Sequence, residues 1–267
     1  MRYSINNRSI TIRHICSFFI RITLILCSGQ VISSEENEIA KIQITAGEWP
    51  PYIGKSLDNQ GCVAKLIREV FERENKDVTF HFMTWAKAYQ KAKTGAYPIT
   101  AYWFDSPIRR EEMLYSAAHL TMESLYFFYP KYVLFEWQSF DDIAGRNLVL
   151  NEGYTYRKDF LDALQKHKVN HTFVSHHDQN LQLLILGLAD LTVLSEKPAE
   201  HILNQLKAFT RKRLRKHPTP LYATKGYLLF HKNAQGEQLK KTFDKRFELI
   251  MKEPGYQEDY IRQCTPL

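Results

Sequence analysis

The stretch from Tyr102 to Ser116, Tyr-Trp-Phe-Asp-Ser-Pro-Ile-Arg-Arg-Glu-Glu-Met-Leu-Tyr-Ser, runs aromatic side chains into a Ser-Pro turn and then a pair of arginines. At such a turn an arginine can face a cavity instead of bulk water. Its planar guanidinium there offers two parallel, charge-assisted hydrogen bonds that match a carboxylate. Arg109 suits that task, whereas Arg110, beside Glu111 and Glu112, reads as a surface ion pair. Trp49, Tyr52, Trp85 and Trp103 are candidate walls, since burying one flat apolar face is worth about 1.5–3 kcal/mol. Trp49 stands beside Pro50-Pro51 at a strand end, where ligands gather in open α/β sheets. Trp85, at helical spacing with Ala88 and Tyr89, suits a core equally well.

Other chemistries find little support. No nucleophile elbow and no cofactor-binding motif occur. Gly47 to Ser56 superficially resembles a phosphate loop, but six residues separate its glycines instead of four, and Pro50 and Pro51 lack the N–H groups such a cradle needs. His176-His177-Asp178 is the one metal-like cluster; three adjacent residues converge poorly on one ion, so it reads as a polar loop.

These side chains sit in a chain of 267 residues, enough for two modest domains. The formal charge is +7, from 36 basic and 29 acidic residues. Residues 1–29 hold Arg2, Arg8, Arg13 and Arg21 and no acid, so the remainder is 32 against 29, or +3. That balance does not point to nucleic acid. The basic run Arg211 to Lys216 reads as a solvated surface, because no aromatic platform accompanies it. Basic residues, the apolar run Ile22–Cys27, then Ser28 and Gly29 follow the order of a secretory signal peptide over 1–29, which directs the chain across the inner membrane to the periplasm. Export leaves Cys62 and Cys264, which can form one disulfide or remain two small buried residues.

After a polar linker over 30–40, hydrophobic periodicity alternates between strands and helices. Strands are expected at 41–45, 78–82 and 99–103, with helices from Cys62 to Arg73 and around Trp85–Ala92. The pattern restarts after a capping box at Ser139–Asp142: strand 148–150, helix 155–167, strand 171–174, helix 181–186, strand 191–194. β–α–β units in tandem imply an α/β fold of two lobes with a cleft between them, each lobe a mostly parallel sheet flanked by helices. The apolar runs Leu125–Tyr129 and Gly226–Phe230 are expected as two hinge strands. Lobe 1 then covers 41–128 and 225–267, and lobe 2 covers 129–224. Tyr154 and Thr155 would open a helix with their N–H groups toward the cleft, which favours an anion.

From about Lys41 onward the chain resembles the bacterial periplasmic solute-binding proteins of family 3, typified by polar amino-acid receptors. The order of motifs carries the resemblance: Trp49-Pro-Pro-Tyr52, Gly61, Trp85-Ala-Lys-Ala88, Gly95-Ala-Tyr-Pro98, Ser106-Pro-Ile-Arg109 with Ser116, Asp142-Ile-Ala-Gly145, Gly153-Tyr-Thr155 and Gly187-Leu-Ala-Asp190. The resemblance implies the type II binding-protein fold and a monomer that closes on a small-molecule ligand. It also implies delivery to a membrane transporter of the ABC class, or to a separate sensor partner. Arg109 falls where the family holds a ligand carboxylate, and Trp49 where it stacks an aromatic on the ligand. Ser106, Tyr154, Thr155 and Glu196 complete the expected ligand set.

The departures are informative. Where amino-acid receptors grip the ligand ammonium with aspartate, this chain has Ser195, with Glu196 next. Pro98, Phe104 and Lys65 also break the family pattern. A serine cannot neutralise an ammonium, so either Glu196 substitutes or the ligand is not an α-amino acid; with Arg109 the expected ligand is carboxylate-bearing or zwitterionic. An exported dehydratase on the same fold, with Glu196 or Glu48 as general acid, is the enzymatic alternative.

Overall fold

The computed structural model describes residues 40–176 and 178–264. The expected signal peptide and nearly all of the linker lie outside them, as does His177. The elements run, in order, β1 (Ala40–Ala46), α1 (Cys62–Glu72), β2 (Lys76–Phe82), α2 (Trp85–Lys93), β3 (Ile99–Phe104), α3 (Pro107–Glu112), β4 (Met113–Tyr115) and β5 (Thr121–Pro130). Then come β6 (Asn147–Asn151), α4 (Lys158–Lys166), β7 (Asn170–Val174), α5 (Gln179–Ile185), β8 (Leu191–Ser195), α6 (Glu196–Gln205), α7 (Ala208–Arg211), β9 (Leu214–Lys216), β10 (Tyr222–His231), α8 (Ala234–Met251) and α9 (Tyr256–Cys264). No helix among the described residues is long and apolar enough to cross a membrane.

The strand order is β2-β1-β3-β10-β5-β8-β6-β7, with β4 added to β10 and β9 to β5. β1 pairs parallel with β2 and β3, and β6 pairs parallel with β7 and β8. Each half thus places its first strand in the middle and adds one antiparallel strand, β10 or β5. This is the tandem architecture that the restarting pattern implies. Sequence periodicity explains the helices: in α1 Val63, Leu66, Ile67, Val70 and Phe71 form one buried face, and Phe71 meets Phe243 of α8 at 5.7 Å between ring centroids.

The crossing between halves is displaced from the apolar runs. Thr121–Leu125 of β5 pairs with Tyr222–Gly226 of β10. Leu125–Phe128 instead pairs with β8, and Gly226–Phe230 with β3 and β4. The runs are apolar because they are interior strands covered on both faces. The joining segments, Thr-Met-Glu-Ser and Ala-Thr-Lys, are more polar because that requirement is absent there.

Gly226 lies where the two long strands separate, and the Tyr102 ring packs directly on its Cα; a methyl group would run into the ring. Gly226→Ala is therefore expected to lower stability by about 1–3 kcal/mol through overpacking, read as a lowered urea midpoint with unchanged slope. An unaltered midpoint would show that Tyr102 moves freely.

Candidate functional site

The loop after β1 places Trp49. Its N–H donates to Ile53 O at 2.7 Å and its carbonyl accepts from Ile53 N at 3.1 Å, while Val63 N at the start of α1 donates to Tyr52 O at 2.9 Å. The Trp49 indole, 5% exposed, is thus fixed over the C-terminal ends of β1 and β3. Trp85, the first residue of α2, lies flat on Gly47, whose Cα leaves no room for a Cβ beneath the indole. Alternation along β3 does not sort its rings simply: Tyr102 and Trp103 are buried and Phe104 is half-buried.

From the other half, the loop between β6 and α4 brings Gly153, Tyr154 and Thr155. Together Trp49, Trp85, Tyr102, Trp103, Phe104 and these three residues enclose a cavity of about 30 Å³, room for one or two waters. Beside it, sharing Trp85 and Tyr154, opens a cleft of about 380 Å³ that Glu48, Lys55, Glu152 and His176 also line. That volume is in the range of small-ligand sites.

Arg109 joins the halves. Its guanidinium stands 4.6 Å from the Trp103 ring centroid and 5.3 Å from that of Tyr89. It donates to Thr155 Oγ1 and, at 3.3 Å, to Gly153 O. Burial pulls its pKa below the usual arginine value, yet it remains a cation. Among the described residues no carboxylate lies within ion-pair distance of it. The nearby Glu112 is held instead by Lys93 at 2.7 Å and Tyr89 at 2.6 Å. Arg110 does form a surface pair, but its partner is Asp105 (2.6 and 2.9 Å) and not Glu111 or Glu112.

The structure therefore assembles Trp49, Trp85, Trp103, Arg109, Tyr154 and Thr155. Three other expected residues lie apart. Tyr52 stacks on Tyr102 in the first lobe's core at 5.8 Å. Ser106 caps the short α3, where its carbonyl accepts from Arg110 N at 3.0 Å. Glu196 opens α6 and pairs with Lys216, so its carboxylate is already matched. Glu48, the other candidate acid, accepts from Lys55 N at 3.1 Å. The anion-binding helix start expected at Tyr154–Thr155 is also displaced: α4 begins at Lys158. Tyr156 Oη accepts from Asn151 N at 2.9 Å and Tyr222 Oη from Arg157 N at 3.2 Å, which holds the segment out of the helix. Cys62 and Cys264 are joined as a disulfide, with Cα atoms 5.4 Å apart.

One acid escaped the sequence reading. Glu123 of β5 is 3% exposed. Trp49 Nε1 donates to both its oxygens at 3.2 and 3.3 Å, and Tyr102 Oη donates to one of them. Burial lifts its carboxyl to about 7, against the opposing pull of the Tyr102 and Trp49 donors. No cation pairs with it among the described residues. Period two offers a signal: Thr121, Glu123, Leu125 and Phe127 share one face of the strand, and the last three are buried.

No family model matches the chain, and no curated protein matches it. Solved structures do. A histidine kinase sensor domain with similarity to periplasmic binding proteins superposes with a TM-score of 0.71 at 17% identity, over 84% of this chain and 96% of that one. An ancestral arginine-binding protein bound to arginine gives 0.73 at 14%, over 85% and 99%. A structure from glutathione import via GshT and the cystine ABC importer TcyBC of Streptococcus mutans gives 0.70 at 20%, over 84% and 93%. The fold is that of the type II periplasmic binding proteins, shared with amino-acid-binding members at low sequence identity.

Proposed function

We propose that this chain is an exported solute receptor that closes its two lobes on a small carboxylate-bearing or zwitterionic molecule and presents it to a membrane transporter. The observation that carries the reading is Arg109: a half-buried cation of the first lobe, resting on Trp103, whose donors are met only by neutral oxygens of the second lobe. A carboxylate offers that fork a charged acceptor, and charge-assisted bonds are roughly twice as strong as neutral ones. Closure is favoured only by contacts made from both sides. The fork provides one side, and the Gly153–Thr155 loop the other. Residues 41–128 with 225–267 and residues 129–224 are the bodies that would move, about the paired segments of β5 and β10.

The shared fold with a histidine kinase sensor domain favours a second use of the same site, in which closure is reported to a separate membrane signalling partner. A permease gene or a kinase gene beside the coding sequence separates the two.

The test is a thermal-shift screen of unfolded-and-refolded protein against amino acids, carboxylates and small peptides. A ligand at 100 times its dissociation constant adds about 2.7 kcal/mol. Arg109→Ala is expected to abolish any carboxylate response, a loss of about 100-fold in affinity for two bonds to a charged group. A response that survives the substitution removes Arg109 from the site.

A further inference from the structure

The pole of the second lobe farthest from the cleft carries a face that the receptor reading leaves unused. Gly153 and Thr155 of the cleft follow the C-terminal end of β6, whereas the N-terminal ends of β6 and β8 lie at the opposite end of the sheet. β5 runs antiparallel to β8, so its last residue, Pro130, reaches that opposite end as well. Several loops meet there. Lys131 N donates to Arg213 O at 2.6 Å, the Arg213 guanidinium to Ile185 O at 3.0 Å and the Arg146 guanidinium to Leu134 O at 2.9 Å. The Tyr132 hydroxyl lies against Gly187, where an added Cβ would stand 3.0 Å from it.

Large apolar side chains stand out of these segments: Tyr132, Leu134, Leu186, Leu188 and, on α7, Phe209 are 64–88% exposed. Cations are set among them: Lys131, Arg146, Lys207, Arg211, Lys212 and Arg213. Arg146, Arg211 and Arg213 donate to neutral oxygens, those of Leu134, Asn204 and Ile185. Elsewhere on the surface Arg110, Arg157 and Arg262 each meet a carboxylate. The acids on the same segments are Asp190, which accepts from Asn147 N at 2.8 Å, and Glu136, 3.7 Å from His217. The face is therefore positive as well as apolar.

Exposed apolar patches rimmed by polar groups mark contacts with proteins or membranes. A protein footprint gathers apolar residues in a dry centre, keeps charge to its rim and is poor in lysine. Here cations and apolar side chains alternate along the chain, as in Lys131-Tyr132 and Lys207-Ala208-Phe209-Thr210-Arg211. That interleaving suits a bilayer surface. Apolar side chains enter the boundary between headgroups and acyl chains, and the lysines and arginines between them meet lipid phosphates. We propose that this pole docks on a bilayer containing anionic phospholipid, with Leu134 and Leu188 inserted and Lys131, Lys207 and Lys212 on the headgroups. Docking there holds the chain beside a membrane partner and leaves the cleft, at the other end of the lobe, facing away from the lipid. The proposal does not depend on which ligand the cleft takes.

Vesicle cosedimentation tests it on residues 30–267, which keep every described element and lack the expected signal peptide. The probes are vesicles of phosphatidylcholine alone and of phosphatidylcholine with about one-third phosphatidylglycerol. The protein is expected to bind the anionic vesicles at least about tenfold more tightly at physiological salt, and to leave them as salt is raised. Lys131→Gln/Lys207→Gln/Lys212→Gln is expected to erase that preference. Leu134→Ser/Leu188→Ser, which keeps the charge, is expected to weaken anionic binding by at least about tenfold through lost insertion. All five side chains are exposed, so both variants are expected to melt with the wild type. If either melts lower, Lys212→Gln or Phe209→Ser alone takes its place. Equal binding to the two vesicles, or binding to neither, overturns the proposal. Anionic binding that ignores the leucine substitutions also overturns it, since charge alone would then account for adsorption. Capture of poly-glutamate without vesicle binding overturns it in favour of an acidic protein partner.

Discussion

Reduction of the Cys62–Cys264 bridge is expected to lower the melting temperature by at least about 10 °C. The bridge links residues 202 positions apart. In the chain-entropy account, opening a loop of that length restores about 5 kcal/mol of disorder to the unfolded chain at 25 °C. For a body of this size each kcal/mol moves the midpoint by about 2–4 °C. The two anchor points make the full effect available. Cys62 begins α1 and is buried against the loop that carries Trp49, and Cys264 ends α9, itself 4% exposed. Between them, Tyr260 Oη donates to Leu120 O at 3.0 Å just before β5, and Tyr256 Oη donates to Glu69 of α1. Calorimetry with and without reductant measures the shift, and a Cys62→Ser/Cys264→Ser double variant should melt where the reduced protein does. A shift below about 2 °C would mean that α9 detaches before the rest of the molecule unfolds and contributes little to its cooperativity.

The parts of this arrangement that were readable in the sequence are those dictated by local periodicity. The apolar positions of α1 and the alternating or continuous apolar strands report burial directly, and repetition of the pattern yields two lobes. Arg109 and Trp49 were readable because a Ser-Pro turn and a Pro-Pro loop end limit where a side chain can point. The hinge was half readable. Leu125–Tyr129 and Gly226–Phe230 mark the correct strands, but apolar runs report coverage on both faces, and the crossing is the stretch where coverage changes sides. The helix start at Lys158 was misplaced by three residues because the bond from Asn151 N to Tyr156 Oη is set by the end of β6 and leaves no local trace. Glu123 was hidden for a similar reason. Within Thr-Met-Glu-Ser it reads as a solvated acid, and the residues that bury it, Trp49, Tyr102 and Tyr260, come from 74 residues before to well over a hundred after.

That distant burial makes Glu123→Gln the substitution with the second-largest expected effect, and its sign runs against intuition. In the unfolded chain the carboxyl titrates near 4.5, and in the folded protein near 7. Between those values the folded state binds the proton and the unfolded state does not, so stability falls as pH rises across that window and is level above it. At about 1.4 kcal/mol per unit, the wild-type protein should be about 3 kcal/mol less stable at pH 8 than at pH 4.5 on this account. His119 opposes the trend: burial lowers its pKa, so it favours folding as pH rises through the unfolded histidine value. Asp142 and Asp159, both held low by hydrogen-bond donors, act only at lower pH. The difference between wild type and Glu123→Gln removes these contributions, since both proteins share them. Urea unfolding at pH 4.5 and pH 8 should show that difference moving by about 3 kcal/mol in favour of the glutamine variant at the higher pH. A constant difference would mean that Glu123 is already matched by a cation or by water.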